Sequence, residues 1–305
     1  MSYYPLGYII KNRREELQLS QEDLADGICS VSTLSRIENG ERMPSKNHYE
    51  MLMQRLGYSA LSLDYFTDKQ DFIIHELKFK IRHAYIEKEF GQCRRLLEKL
   101  TSLTGERSTI DTQFISLYDT LLNQKSMPLE EKLERLEAAL RLTCPQYGEN
   151  FAPKVLSYEE ICILNNIAQS YKALLQRPRT IELLYVIKNY YDRQVCSAEE
   201  ALRTQPMILY NLSSSLGLEG RYDECIAVCD EAISLARRTY RYAYYEKTLY
   251  NRAWSLLRRN HTGDREQARL SLKQAYSFAH SVDDSEMMDI FQDFYKKNFY
   301  EEMLI

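Results

Sequence analysis

The chain has 305 residues, 44% of them hydrophobic and 28% charged, and a net charge of -4. Its 40 leucines stand against 6 valines, and glycine and proline number only 10 and 7. Strands favour β-branched residues and tight turns favour Gly and Pro, so a sandwich, a barrel and a doubly wound sheet are excluded and the composition predicts an all-α protein. The length suffices for two modest domains or one elongated one. No segment has 18 uninterrupted apolar residues, and the N-terminus (MSYYPLGYII) lacks the apolar stretch of a secretory leader, so no membrane span is expected and the protein is expected in the cytoplasm. Seven cysteines without a C-x-x-C spacing are expected to be free thiols in a reducing compartment, acting as small hydrophobes. There is no P-loop, no G-x-S-x-G and no H-E-x-x-H, and the histidines (48, 75, 83, 261, 280) are dispersed. No enzyme, metal or cofactor is expected.

In chain order, the spacing predicts a first helix over 6–17, with Leu6, Ile9, Ile10 and Leu17 as candidates for its inner side. Ser20 is a good N-cap, with Asp23 at the capping-box position, for a short second helix closed by Gly27. Glu22 and Asp23 suit the positive end of its dipole. Ser30 caps a third helix, Val31 to Glu38, which stops at Asn39-Gly40, and Ser45 caps a fourth over 46–56 closed by Gly57. Two short helices joined by a few residues containing Gly make a helix-turn-helix.

The string SQEDLADGICSVSTLSRIENGERMPS resembles the helix-turn-helix of the phage-repressor-like (Xre/Cro) family through Gln21, Leu24-Ala25, Ser32-Thr33-Leu34-Ser35, Ile37-Glu38, Asn39-Gly40 and Pro44. The resemblance implies that Ser20 and Gln21, opening the second helix, hold a phosphate. It implies that Val31, Ser32, Thr33 and Arg36 face the major groove, where hydroxyls meet base edges, methyls meet thymine and a guanidinium takes guanine O6/N7 or a phosphate. Asn39, Arg42 and Ser45 would then reach the backbone. Arg14 and Glu38 match a pair that joins first helix to third, and so read as a structural ion pair. Residues 1–59 carry 7 Lys+Arg and 8 Asp+Glu. A net of -1 neutralises phosphate poorly, which points to a homodimer on two half-sites.

From about residue 68 onward helix follows helix. The segment 208–233, ILYNLSSSLGLEGRYDECIAVCDEAI, resembles the tetratricopeptide repeat: Asn211-Leu212 on the first helix, Gly220 at the turn, Tyr222 entering the second, and Cys225, Cys229 and Ala232 where the two helices touch. In that frame Cys225 and Cys229 face the core. TLYNRAWSLLRRN follows 40 residues later, with Ala268 and Ala275 seven apart, and CILNNIAQSYKALL precedes by 45. Two weaker pairs run over 68–103, with Phe90 and Cys93 at the turn, and 108–143, and 283–301 reads as a lone capping helix. The spacings exceed the usual ~34 residues, so helices or loops are longer. The resemblance implies about five helix pairs in a right-handed superhelix whose concave wall is made by the first helix of each pair. Aligning the copies puts Asn166, Asn211 and Asn251 at one position on that wall. An amide offers both donor and acceptor to an extended backbone, and Tyr171, Tyr210 and Tyr250 would supply apolar area with a polar tip.

An Xre-type head over 1–66 followed by such repeats over 67–305 resembles the peptide-pheromone-responsive regulators of the RRNPP group, on the PlcR-like side. This implies a cytoplasmic homodimeric transcription factor that binds palindromic DNA and is controlled by a short signalling peptide held in the repeat domain (quorum sensing). The alternative within the group is a Rap-like repeat protein that binds or inhibits a signalling protein, with DNA binding secondary.

Overall fold

The computed structural model describes residues 5–57, 69–104, 108–148, 151–153, 155–193 and 198–300. Among these residues there are fifteen α-helices and no strand. The first four are α1 (Pro5–Glu16), α2 (Gln21–Ala25), α3 (Val31–Glu38) and α4 (Lys46–Arg55). Then come α5 (Lys69–Ile86), α6 (Phe90–Leu103), α7 (Thr109–Asn123), α8 (Leu129–Arg141), α9 (Tyr158–Ala173), α10 (Arg177–Asp192), α11 (Ala198–Leu218), α12 (Tyr222–Thr239), α13 (Tyr245–Arg259), α14 (Asp264–Ser281) and α15 (Ser285–Phe299). The helices α5 to α14 carry the tetratricopeptide-like repeats, with α5 packed on α6, α7 on α8 and α13 on α14, and α15 packs on α14. None of the described helices is long and apolar enough to cross a membrane.

Local capping sets the starts. Ser20 accepts the Asp23 N–H while Asp23 accepts the Ser20 N–H, a reciprocal capping box. Ser30, Ser45, Ser108 and Ser157 each accept an N–H from the first turn of α3, α4, α7 and α9. These serines satisfy donors that a helix cannot pair internally.

The chain divides into two compact units, residues 1–174 with 190–200, and 175–189 with 201–305. In the first, the helix-turn-helix closes over Ile10, Leu24, Leu34, Ile37, Leu52 and Leu56, all essentially without solvent exposure. Here α1 differs from the sequence expectation at one residue, Ile9. Ile10 is buried, but Ile9 is 40% exposed, and the inner stripe is Gly7, Ile10 and Arg14. Gly7 lets the α1 backbone come against the Ile37 and Glu38 carbonyls at the end of α3. Leu6 and Leu17 pack against the same core, so of the four apolar candidates only Ile9 turns outward.

The second unit is built on Leu249, Ala253, Leu256, Ala268, Leu272, Ala275 and Phe291, drawn from α13, α14 and α15. Small residues at Ala268 and Ala275 allow α13 and α14 to pack closely. Cys225 and Cys229 on α12 have no solvent exposure. Burial pushes the Cys229 thiol well above its ordinary range, as expected of a core side chain.

Candidate functional site

The α3 helix presents two faces. Leu34, Ile37 and Glu38 point into the head, whereas Val31, Ser32 and Arg36 are exposed and Thr33 is half-exposed. The Ser30 hydroxyl lies 2.9 Å from Thr33 Oγ1 and 3.0 Å from Ser32 Oγ, so three hydroxyls cluster at the helix N-terminus and can rotate to donate or accept. The Arg36 side chain is 59% exposed and lies 3.8 Å from Glu41. Such a guanidinium is free to swing to a base edge or a phosphate. Asn39, Arg42 and Ser45 are exposed just beyond α3, and the Ser45 oxygen is also the cap of α4.

Arg14 and Glu38 form a bidentate pair, Nε to Oε1 at 2.7 Å and Nη2 to Oε2 at 2.9 Å, with the Glu38 side chain 1% exposed. Arg14 also donates to the Leu19 carbonyl at 2.8 Å. Gln21 donates to Glu38 Oε2 at 2.8 Å, so one of its two N–H donors works inside the head, tying α2 to α3. Ser20 is likewise engaged in its capping box, beside the acidic Glu22 and Asp23. Arg36 on α3 and Arg42 just after it face outward, whereas the opening of α2 contributes polar groups already engaged within the head.

The asparagines lie on first helices: Asn166 on α9 in the first unit, Asn211 on α11 and Asn251 on α13 in the second. All three are half-buried. The Asn166 amide donates to the Cys162 carbonyl one turn back at 2.8 Å. The Asn251 amide donates to Ser213 Oγ on α11 at 3.0 Å, so these two first helices are bridged at the asparagine level. Of the tyrosines, Tyr171 donates to Glu137 at 3.0 Å, and Tyr210 stacks on Tyr244 with centroids 5.2 Å apart. Tyr250 packs on Phe291 and Phe294 of α15, which makes it part of the seating of the last helix.

Within the first unit, sequence reasoning missed a buried polar joint between the head and the repeats. The Arg55 guanidinium donates to the carbonyls of Asp26 and Thr143, the latter at 3.1 Å, and lies 3.6 Å from Glu160 Oε1. Glu160 also accepts from the Cys144 thiol at 3.2 Å and from the Ser157 N–H at 2.7 Å. Its neighbour Glu159 accepts from both Gln54 and Arg82. The carboxylate of Glu159 is held below its ordinary range by Arg82, against the opposing effect of burial. The local signal was present: Arg55 follows Met51 and Leu52 on the buried side of α4, where a solvated charge is out of place.

Comparisons with known proteins agree with this architecture. Residues 10–63 match the helix-turn-helix family. A search of curated proteins gives no match. Among solved structures, PlcR from Bacillus thuringiensis, in complex with the peptide PapR7 and DNA, is 19% identical with a TM-score of 0.60, over 94% of this chain and 98% of that one. The chain has a PlcR-like fold. The apo form of PlcR is 18% identical with a TM-score of 0.59, over 95% and 98% of the two chains. The apo form of the competence regulator ComR from Streptococcus vestibularis is 19% identical with a TM-score of 0.50, over 96% and 97%. The likeness to these regulators thus spans both the helix-turn-helix head and the repeats.

Proposed function

We propose that the chain is a peptide-controlled transcriptional regulator acting in the cytoplasm. The head, residues 1–66, reads one half-site of a palindromic operator with α3, and the repeat region, 67–305, dimerises and holds a short signalling peptide. The observation that carries this reading is the outward face of α3. Val31, Ser32 and Arg36 are exposed there over a fully packed Leu34 and Ile37, in a chain whose fold is shared along its length with a regulator crystallised with peptide and DNA. Ser32, Thr33 and Arg36 would meet bases, and Asn39, Arg42 and Ser45 the phosphates. Asn211 and Asn251 of the second unit would hold the peptide backbone, with Tyr210 of the same unit, and Asn166 and Tyr171 are the matching candidates of the first unit. Control would follow by population shift, in which a peptide preferring one arrangement of the repeats tenfold contributes about 1.4 kcal/mol.

A mobility-shift assay with DNA from upstream of its own gene tests this reading. The wild-type chain should retard a specific fragment, and Arg36→Ala should abolish that band while leaving the circular dichroism spectrum unchanged. Failure of the wild-type chain to retard any such fragment, with and without peptide, would refute the assignment.

A further inference from the structure

The joint described above makes the head and the first repeat pairs one body, and it does so without covering the reading helix. Its head-side contacts come from α4 and from the turn between α2 and α3. Asn47 exchanges hydrogen bonds with Thr109 at the start of α7, at 3.1 and 3.3 Å. Gln54 reaches Glu159 and Arg55 reaches Thr143 and Glu160. Gly27, with φ +69°, lets the turn approach the Thr143 carbonyl so closely that a Cβ would stand 2.7 Å from it. Val155, just before α9, completes the head's own apolar core. The same α4 supplies Leu52 and Leu56 to that core, into which α3 packs through Leu34 and Ile37. The direction in which α3 points is therefore set relative to α7 and α9.

Buried charges tolerate little sliding, because each that loses its partner is left without water or counter-ion. The Arg55, Glu159 and Glu160 side chains are 7%, 3% and 2% exposed. A joint made of them has one good arrangement and not a continuum of them.

We infer that Gln54, Arg55, Glu159 and Glu160 determine which half-site spacing the regulator accepts. The inference rests on the homodimer and palindrome proposed above. With two copies joined through the repeat helices of the first unit, to which each head is locked, the distance and angle between the two α3 helices are fixed. Each base pair added between half-sites moves one of them by about 3.4 Å and turns it by roughly 35° about the DNA axis. A locked pair of heads cannot follow that change, whereas a pair released from the repeats can.

The test uses the full-length chain. A random double-stranded DNA library is selected on the wild-type protein, and the enriched palindrome is resynthesised with one base pair inserted or removed at its centre. Affinities are measured by fluorescence anisotropy for wild type and for the triple variant Gln54→Ala, Glu159→Gln, Glu160→Gln, in which a glutamine at 160 keeps the capping position of α9. A second variant, Gln54→Ala alone, retains both buried carboxylates and guards against misfolding of the triple. Wild type should lose about 100-fold on a one-base-pair change, close to the loss of a half-site's contacts, and the triple variant less than about 10-fold. Gln54→Ala should fall between them, and the base preference within each half-site should be unchanged. Equal strictness in wild type and both variants overturns the inference, as does a wild type indifferent to spacing. Enrichment of no sequence at all overturns the DNA-reading function itself, and enrichment of single half-sites overturns the homodimer on which the spacing argument stands.

Discussion

Replacing Gly7 by alanine reverses a usual rule. Gly→Ala inside a helix ordinarily stabilises by about 1 kcal/mol, since alanine loses less backbone freedom on folding. In α1 the added Cβ would stand 3.1 Å from the Glu38 carbonyl oxygen and well inside the contact distance of the Ile37 carbonyl oxygen. Both obstacles are backbone atoms, which no rotamer change can move aside. The helices must separate by roughly 1 Å, enough to forfeit a quarter to a half of the attraction between their facing atoms. The two Arg14–Glu38 bonds, 2.7 and 2.9 Å, span the same interface and would be stretched with it. Overpacking of this kind costs about 1–3 kcal/mol, and the weakened ion pair adds to it, so Gly7→Ala should destabilise the head by roughly 3 kcal/mol. Amide hydrogen exchange of the full chain, read on peptides from α1 to α3 along a urea series, measures this locally. A variant as stable as wild type, or more stable, would refute the close approach of α1 to α3.

Glu38→Ala leaves Arg14 with the Leu19 carbonyl but without its bidentate partner, and should cost the head about 3 kcal/mol. A cycle with Arg14→Leu should be strongly non-additive, since the second substitution removes the charge the first has stranded; additivity in the exchange data would contradict the pairing. In the second unit, Arg259 donates to Asp264 at 2.6 and 2.9 Å and holds its carboxyl below the usual value, at about 2. A carboxylate depressed on folding contributes stability above its unfolded pKa, and this is lost as pH falls through the folded one. Melting followed by the fluorescence of Trp254 should therefore drop between about pH 4 and pH 2. Asp264→Asn should melt lower at pH 5 but show a shallower slope, and parallel slopes would count against the pair.

The head was readable because its signals are local. A serine three residues before the N–H it accepts, as at Ser20 with Asp23 or Ser30 with Thr33, needs no knowledge of the rest of the chain. The helix pairs were readable in the same way, from small residues such as Ala268 and Ala275 recurring on one face and from a turn at Gly220 followed by Tyr222. At Ile9 the face of α1 was not readable, because Ile9 and Ile10 are equally apolar and the approach of α3 to Gly7 decides between them. Tyr250 likewise carries no mark in the sequence that separates lining a surface from packing on Phe291 and Phe294.

By itself, then, the amino-acid sequence determined the helices, their caps, the helix-turn-helix motif and the repeat, because each depends on residues within a turn or two of one another. The tertiary structure alone decided what the charged residues do. Arg36 and Arg55 are the same side chain in similar helical text, yet one is 59% exposed near Glu41 and the other is 7% exposed between Asp26, Thr143 and Glu160. The physical reason is that the energy of a charge depends on its distance from water and from opposite charges, and those distances are set by segments about a hundred residues away.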